Sequence, residues 1–124
     1  MPSKIRVLIA DDHGLFAEAL DAILASEPEI EVVGRARNGE EAVDQALALE
    51  PDVILMDIAM PVVDGVEATK RIRQKLRRAC ILMLTGSNSR EDVARARDAG
   101  AAAYVTKDRI AAQLIEAIRE LGDN

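Results

Sequence analysis

The chain has 124 residues and a formal net charge of -6, with 49% hydrophobic and 31% charged residues. This length and balance are typical of one soluble domain with its own core. The excess of acids argues against nucleic-acid binding by this segment, because such binding depends on neutralising phosphates with Lys and Arg. No apolar run is long enough to cross a bilayer and no leader-like segment opens the chain, so we expect a cytoplasmic protein with no membrane contact. The single cysteine, Cys80, cannot form an internal disulfide and is interpreted as a small hydrophobic residue.

The first element is a β-rich run, Ile5–Ala10, which ends in Asp11 and Asp12. Apolar residues at helical spacing then predict a helix that ends before Pro28. Its apolar positions are Leu15, Phe16, Ala19, Leu20, Ile23 and Leu24. The next run, Ile30–Ala36, partly alternates and carries charges, which favours a strand at the edge of a sheet.

Asn38 and Gly39 predict a turn before a second helix, which ends at Pro51. The apolar stripe of that helix consists of Ala42, Val43, Ala46 and Leu47. Val53–Met56 is then apolar at every position and is followed directly by Asp57. A run that is hydrophobic on both faces predicts a central strand covered on both sides, with the carboxylate at the carboxyl edge of the sheet.

A loop and a turn at Asp64 and Gly65 precede a third helix. Val66, Thr69, Ile72 and Leu76 recur at helical spacing, and the basic end of this helix is interpreted as a solvated helix terminus.

Ile81–Leu84 predicts another central strand, which ends at Thr85. A fourth helix is predicted from about Ser89 to Ala99, with Gly100 as its stop. Its stripe of Val93, Ala96 and Ala99 is weak, so we expect the most mobile helix here.

Ala102–Thr106 predicts a short last strand that ends at Lys107, and a closing amphipathic helix follows. Strands and helices therefore alternate through residues 1–124, which predicts a single parallel sheet with helices on both faces. Because the second and fifth strands are the polar ones, we expect a flavodoxin-like (βα)5 three-layer sandwich with strand order 2-1-3-4-5. Gly122–Asn124 is interpreted as the start of a linker.

In this topology five side chains converge on the carboxyl edge of the sheet: Asp11, Asp12, Asp57, Thr85 and Lys107. Two like charges about 4 Å apart repel by about 4 kcal/mol at an effective dielectric of about 20, so three carboxylates need a compensating cation. Oxygen ligands favour Mg²⁺, for which Mn²⁺ can substitute, and such a site is poised for phosphoryl transfer. Asp57 is the expected nucleophile, Lys107 neutralises phosphoryl oxygens, and Thr85 donates a hydrogen bond to one of them.

The same residues give the chain a resemblance to the receiver domain of two-component response regulators, and most to the NarL/FixJ subfamily. The stretches that carry it are Asp11–His13, Met56–Asp57, Met60–Pro61, Asp64–Gly65, Leu84–Gly86, Gly100–Ala101 and Tyr104–Asp108. The resemblance covers essentially the whole chain.

The resemblance implies that Asp57 accepts a phosphoryl group from a phosphohistidine of a sensor histidine kinase. It implies that Asp12, Asp57 and the main-chain carbonyl of Ala59 bind Mg²⁺ directly, with Asp11 acting through water. Asp108 replaces the proline that many receivers carry after the lysine, so no cis peptide is expected there. The small residues Ala59 and Ser87 leave the lifetime of the phosphoryl group open.

The resemblance also implies a switch, in which Thr85 shifts toward the phosphoryl group and Tyr104 turns inward behind it. The kinase is expected to contact the first helix, at Leu15, Phe16 and Ala19, and the loop after Lys107. The output is expected to be transcription through a separate helix-turn-helix DNA-binding domain beyond this chain, with homodimerisation on activation.

Four alternatives stay open. The chain could be a stand-alone receiver that acts through protein–protein contacts, or a degenerate receiver that takes no phosphate. A Mg²⁺-dependent phosphohydrolase with an aspartyl nucleophile would need a second acid where Ala59 stands. A flavodoxin-type FMN binder would need aromatic residues and a phosphate loop, but Asp11 and Asp12 would repel phosphate and aromatics make up 2% of the chain.

Overall fold

A computed structural model describes residues 4–86 and 90–122 and shows a five-stranded parallel sheet with order β2-β1-β3-β4-β5. The strands are β1 (Ile5–Ala10), β2 (Ile30–Ala36), β3 (Val53–Asp57), β4 (Cys80–Thr85) and β5 (Ala103–Thr106). The helices are α1 (Gly14–Ala25), α2 (Gly39–Leu49), α3 (Gly65–Lys75), α4 (Arg90–Ala99) and α5 (Ile110–Gly122), with a 3₁₀ turn at Lys107–Arg109. The predicted fold class and strand order are confirmed.

The central strands are buried on both faces, and successive side chains enter two different cores. Leu8, Ile54 and Met83 belong to the core beneath α2, α3 and α4. Val7 and Leu55 belong to the core beneath α1 and α5. The alternation follows from strand geometry, since neighbouring side chains point to opposite faces. Sequences that are apolar at every position are therefore stable only in the middle of this sheet.

Two helices begin at side-chain caps, and both correct a prediction. Asn38 and Gly39 do not form a separate turn: Asn38 is the N-cap of α2, and its side chain accepts a hydrogen bond from the Glu41 N–H at 2.9 Å. Asp64 and Gly65 also start a helix directly, since Asp64 caps α3 and its side chain accepts from the Glu67 N–H at 2.8 Å. Asn–Gly favours turns, but a side-chain oxygen that satisfies a free helical N–H stabilises the helix start instead.

The last two helices agree with the predicted elements except at their ends. α4 runs from Arg90 to Ala99, and the predicted start at Ser89 lies outside the described residues. Gly100 stops the helix with φ +104°, a left-handed conformation that favours glycine. Gly122 does not begin a linker, because it is the last residue of α5 and packs against Ile5.

The loop between β3 and α3 is fixed at both of its ends. The Ile58 N–H donates to the Leu84 carbonyl on β4, and the Gly65 N–H donates to the Ile58 carbonyl, both at 3.0 Å. A Cβ at Gly65 would lie 2.1 Å from the Asp57 carbonyl oxygen, so only glycine fits where α3 begins. Val62 sits mid-loop with φ 70°, a left-handed conformation that is rare for a β-branched residue.

Within the described ranges, no helix is both long enough and apolar enough to cross a membrane.

Candidate functional site

The sheet register places three acids side by side at its carboxyl edge. Ala10 pairs with Met56, so Asp11 follows β1 at the level where Asp57 ends β3. Carboxylate oxygens of Asp11, Asp12 and Asp57 and a ring nitrogen of His13 all lie within 4.8 Å of one another. The predicted convergence of the three acids is therefore present.

Asp57 is a buried carboxylate, 3% exposed, at the end of the central strand. Its Oδ2 lies 3.3 Å from the Lys107 Nζ, and its Oδ1 accepts from the Ala59 N–H at 3.3 Å. Burial raises the pKa of Asp57 and the nearby Asp11 carboxylate raises it further, whereas the Lys107 ammonium lowers it. The ionised form of Asp57 therefore lacks full compensation from its protein neighbours.

Asp11 and Asp12 differ in exposure and in partners. Asp11 is buried, and its Oδ1 accepts the His13 main-chain N–H at 2.8 Å. Its Oδ2 is the one buried side-chain oxygen or nitrogen in the described part of the chain without a hydrogen bond, although the Lys107 Nζ lies 3.6 Å away. Asp12 is exposed and faces the imidazole of His13, with 3.2 Å between Nδ1 and Oδ1.

Lys107 approaches the acids from the carboxyl end of β5. It follows β5 at the start of the 3₁₀ turn, and its ammonium lies near both Asp57 and Asp11. The same ammonium lies 4.4 Å from the centre of the Phe16 ring on α1. A cation over an aromatic face is stabilised electrostatically, so Phe16 helps to hold the lysine over the acids.

The remaining predicted residues lie on β4, on β5 and in the loop after β3. Thr85 is fully buried at the end of β4 and pairs with Thr106 on β5. Ala59 is in the loop directly after Asp57. Tyr104 is on β5, 43% exposed, and borders a cavity of ≈ 470 Å³ between α4 and β5. Small side chains line much of that cavity, among them Ala96, Ala101, Ala102 and Ala103.

The site has the ligands that a divalent cation requires. Three carboxylates, one of them with a buried oxygen lacking a hydrogen bond, supply hard oxygen donors within one small cluster. Of the described residues, Lys107 places one ammonium beside these three carboxylates. We therefore regard the cluster as able to hold a divalent metal ion.

Two residues of the site were not predicted to have these roles. In the sequence His13 is only part of the motif after Asp11 and Asp12, and its place beside two acids is the signal that points to the site. The sequence pattern places Phe16 in the apolar stripe of α1 and among the expected kinase contacts, and its contact with Lys107 depends on tertiary structure alone. Leu15, from the same stripe, is 85% exposed at the N-terminal end of α1, and Ala19 is exposed as well.

Comparisons with known proteins agree with this geometry. The response regulator receiver domain family matches residues 7–119. The transcriptional regulatory protein LiaR of Bacillus subtilis is 44% identical over 115 residues, which cover 93% of this chain and 54% of LiaR. The transcriptional regulatory protein DegU of Brevibacillus brevis is 44% identical over 117 residues, covering 94% of this chain and 50% of DegU. The chain thus spans about half the length of these curated relatives.

Solved structures show the same fold. The receiver domain of the response regulator NarL from Mycobacterium tuberculosis superposes with a TM-score of 0.94 at 30% identity, covering 99% of both chains. The response regulator domain of Thermotoga maritima CheB superposes with a TM-score of 0.90 at 34% identity, covering 98% of both chains. Family, fold and relatives agree: this chain belongs to the receiver domains of response regulators.

Proposed function

We propose that this chain is a phosphorylation switch in which Asp57 accepts a phosphoryl group from a sensor histidine kinase. The observation that carries the proposal is the buried Asp57 carboxylate, which has the Lys107 ammonium at 3.3 Å and two further acids beside it. A structural carboxylate would be expected to have its charge balanced by the protein. Here the net charge favours a bound cation and an incoming phosphoryl group.

The transfer forms one bond and breaks one. A carboxylate oxygen of Asp57 attacks phosphorus, the P–N bond to the donor imidazole breaks, and the electron pair returns to that nitrogen, which then takes up a proton. The product is an acyl phosphate on Asp57. Lys107 lies close enough to neutralise phosphoryl oxygens, and Thr85 at the end of β4 would donate a hydrogen bond to one of them.

We propose Mg²⁺ as the resident cation, with Mn²⁺ able to replace it. Asp12, Asp57 and the main-chain carbonyl of Ala59 would hold it directly, and Asp11 would act through water. When bound, the cation supplies positive charge for the carboxylates and for the phosphoryl oxygens. The related CheX–CheY complex of Borrelia burgdorferi, 25% identical with a TM-score of 0.89, was solved with BeF₃ and Mg.

Thr85 and Tyr104 are the proposed switch. Tyr104 borders an open cavity, so its ring is free of the close packing that would hold it in one place. Movement of Thr85 toward a phosphoryl group would leave room behind it, and Tyr104 would turn inward. The surface formed by α4, β5 and α5 would then change, which is the expected signal.

The kinase is proposed to dock on α1 and the turn after Lys107. Leu15 is 85% exposed and lies two residues from His13 at the site, so its side chain is accessible to a docking protein. Leu15→Asp and Ala19→Asp should slow phosphotransfer from the kinase but leave labelling by acetyl phosphate intact. Equal loss with both donors would place the defect in the site instead.

The output is proposed to be transcription through a separate DNA-binding domain, with homodimerisation on activation. LiaR and DegU are named as transcriptional regulatory proteins and are about twice as long as the matched region. The alternative is a stand-alone receiver that signals by protein–protein contact. The sequence beyond residue 124 of the natural protein distinguishes the two.

Phosphorylation can be tested directly. Acetyl phosphate with Mg²⁺ should add the mass of one phosphoryl group to the wild type and none to Asp57→Asn, measured by intact-protein mass spectrometry. Asp44→Asn is the matched control, since it makes the same change at an exposed carboxylate on α2. Equal labelling of Asp57→Asn, or no labelling of the wild type, would contradict the proposal.

A Mg²⁺-dependent phosphohydrolase remains the second candidate, because the acids and Lys107 would serve it equally well. It would need an acid or base two residues after the nucleophile, and Ala59 has no titratable side chain. Turnover of a small phosphate ester beyond one equivalent would favour this enzyme over a switch.

A further inference from the structure

We infer that His13 is a nitrogen ligand of the divalent cation at this site and that it gives the site a preference for first-row transition metals such as Mn²⁺ over Mg²⁺. The inference rests on the proposed function, because it concerns the same cation beside Asp57. It adds a ligand of a different chemical class to the oxygen ligands proposed above.

The distances fit a shared cation. The Nδ1 of His13 lies 3.2 Å from Asp12 Oδ1, 3.3 Å from Asp11 Oδ1 and 3.8 Å from Asp57 Oδ2. Two atoms that bind one cation at right angles, each about 2.1 Å from it, are about 3.0 Å apart. The imidazole nitrogen, which is also within hydrogen-bond distance of Asp11 Oδ1, therefore stands near the spacing of neighbouring ligands from Asp12 and somewhat farther from Asp57.

The main chain fixes His13 in this position. Its N–H donates to Asp11 Oδ1 at 2.8 Å, so the residue is anchored to one of the three acids of the site. His13 is also the N-cap of α1 but makes no capping hydrogen bond through its side chain. The ring thus has no role in starting the helix and points its Nδ1 toward the three acids.

A second observation at the site points to a cation. The buried Asp11 Oδ2 has the Lys107 ammonium at 3.6 Å but no hydrogen-bond partner among the described residues, and a buried polar atom without a hydrogen bond is unfavourable. Mg²⁺ favours oxygen ligands, whereas imidazole is a good ligand for transition-metal dications. A site with one nitrogen and several oxygens therefore discriminates between the two kinds of metal.

The composition of the chain makes the experiment clean. His13 is the only histidine among the 124 residues, so any imidazole signal from a tag-free protein comes from it. Mn²⁺ is added to the wild type, and electron spin echo envelope modulation is measured by pulsed EPR. Labelling with ¹⁵N-histidine identifies the imidazole. We expect ¹⁴N coupling that changes to ¹⁵N coupling on labelling and disappears in His13→Ala.

Affinities provide a second measurement that does not depend on activity. Mn²⁺ and Mg²⁺ are titrated by calorimetry into wild type, His13→Ala and the control Asp44→Asn. Loss of groups that support a metal site typically lowers affinity by about tenfold or more, and we expect that loss for Mn²⁺ in His13→Ala. For Mg²⁺ we expect a loss well below tenfold, and for Asp44→Asn no change with either metal.

The outcomes separate this inference from the proposed function. Bound Mn²⁺ without imidazole coupling, or equal losses for both metals in His13→Ala, would overturn the inference and leave Asp57 as the acceptor. A wild type that binds neither metal but is labelled on Asp57 would overturn the inference together with the proposed cation. A wild type that binds Mn²⁺ through His13 but is never labelled would support the inference and contradict the phosphorylation switch.

Discussion

Helices α4 and α5 both pack beside β5, on opposite faces of the sheet, but they are anchored by very different side chains. α5 buries Ile110, Leu114 and Ile118, whereas α4 buries only Ala96 and Ala99. Each large aliphatic side chain contributes about 1.5–3 kcal/mol when fully buried, and an alanine methyl contributes far less. At the proposed output surface, α5 is therefore firmly packed, whereas α4 is held by little buried apolar area.

The contrast between the two helices would be contradicted most clearly if α5 tolerated the loss of its large buried side chains. Leu114→Ala should lower the free energy of unfolding by about 2–5 kcal/mol, because Leu114 is fully buried and the change leaves a cavity. Urea denaturation followed by circular dichroism measures the loss. Leu15→Ala makes the same change at an exposed position and should stay within about 0.5 kcal/mol of the wild type.

A smaller effect is expected in α4, where the change should stay local. Ala96→Gly lowers the helix propensity by about 1 kcal/mol, which should raise amide exchange rates within α4 about fivefold. Ala111→Gly makes the same change on the exposed face of α5 and serves as the control. Exchange that rises equally in α5 with Ala96→Gly would show that α4 does not open independently.

The Arg95 guanidinium links α4 to the start of α3, since it lies 3.7 Å from Asp64, and it also lies 3.8 Å from Asp92 within α4. These are half-exposed pairs, so Arg95→Ala should lower the free energy of unfolding by less than about 1 kcal/mol. The informative measurement is the exchange of α4 amides, which should rise more than in Arg90→Ala. No difference between the two variants would mean that the link does not restrain α4.

The smallest effect concerns the surface of α5 and depends on pH. Hydrogen bonds from its own main-chain N–H and from Arg119 lower the pKa of Glu29. A carboxyl group with a lowered folded-state pKa stabilises the fold above its unfolded pKa, and this contribution is lost as pH falls through the folded-state pKa. Wild type should therefore be slightly more stable than Arg119→Gln at pH 7, and urea midpoints should converge in acid. Midpoints that diverge as pH falls would contradict this sign.

Much of the fold could be predicted because the decisive residues act locally. Val53–Met56 is apolar at every position, so only a doubly covered strand satisfies it, and Asp57 then has to lie at the sheet edge. The charged run Ile30–Ala36 could not occupy the centre, and this placed β2 at an edge. With the polar fifth strand at the other edge and strands and helices in alternation, these patterns predict the strand order and hence the neighbours of Asp57.

The errors come from residues whose behaviour depends on tertiary contacts. Asn38 reads as a turn residue until the N–H of Glu41 lies within reach of its side chain. Leu20 and Leu24 of the predicted stripe are buried, but Leu15 and Ala19 are exposed and Ala17 faces the core in their place. The contact of Phe16 with Lys107 joins residues far apart in sequence, and no local pattern contains it.

The clamped loop after Asp57 has a consequence for the direction in which a signal can travel. Gly65 lies against the Asp57 carbonyl without room for a methyl group, and Ile58 is hydrogen-bonded to both Gly65 and Leu84. Ile58, which directly follows Asp57, is therefore held at both its N–H and its carbonyl. A disturbance at the proposed acceptor should consequently pass sideways into the end of β4, one residue before Thr85, and from there toward the loosely anchored α4.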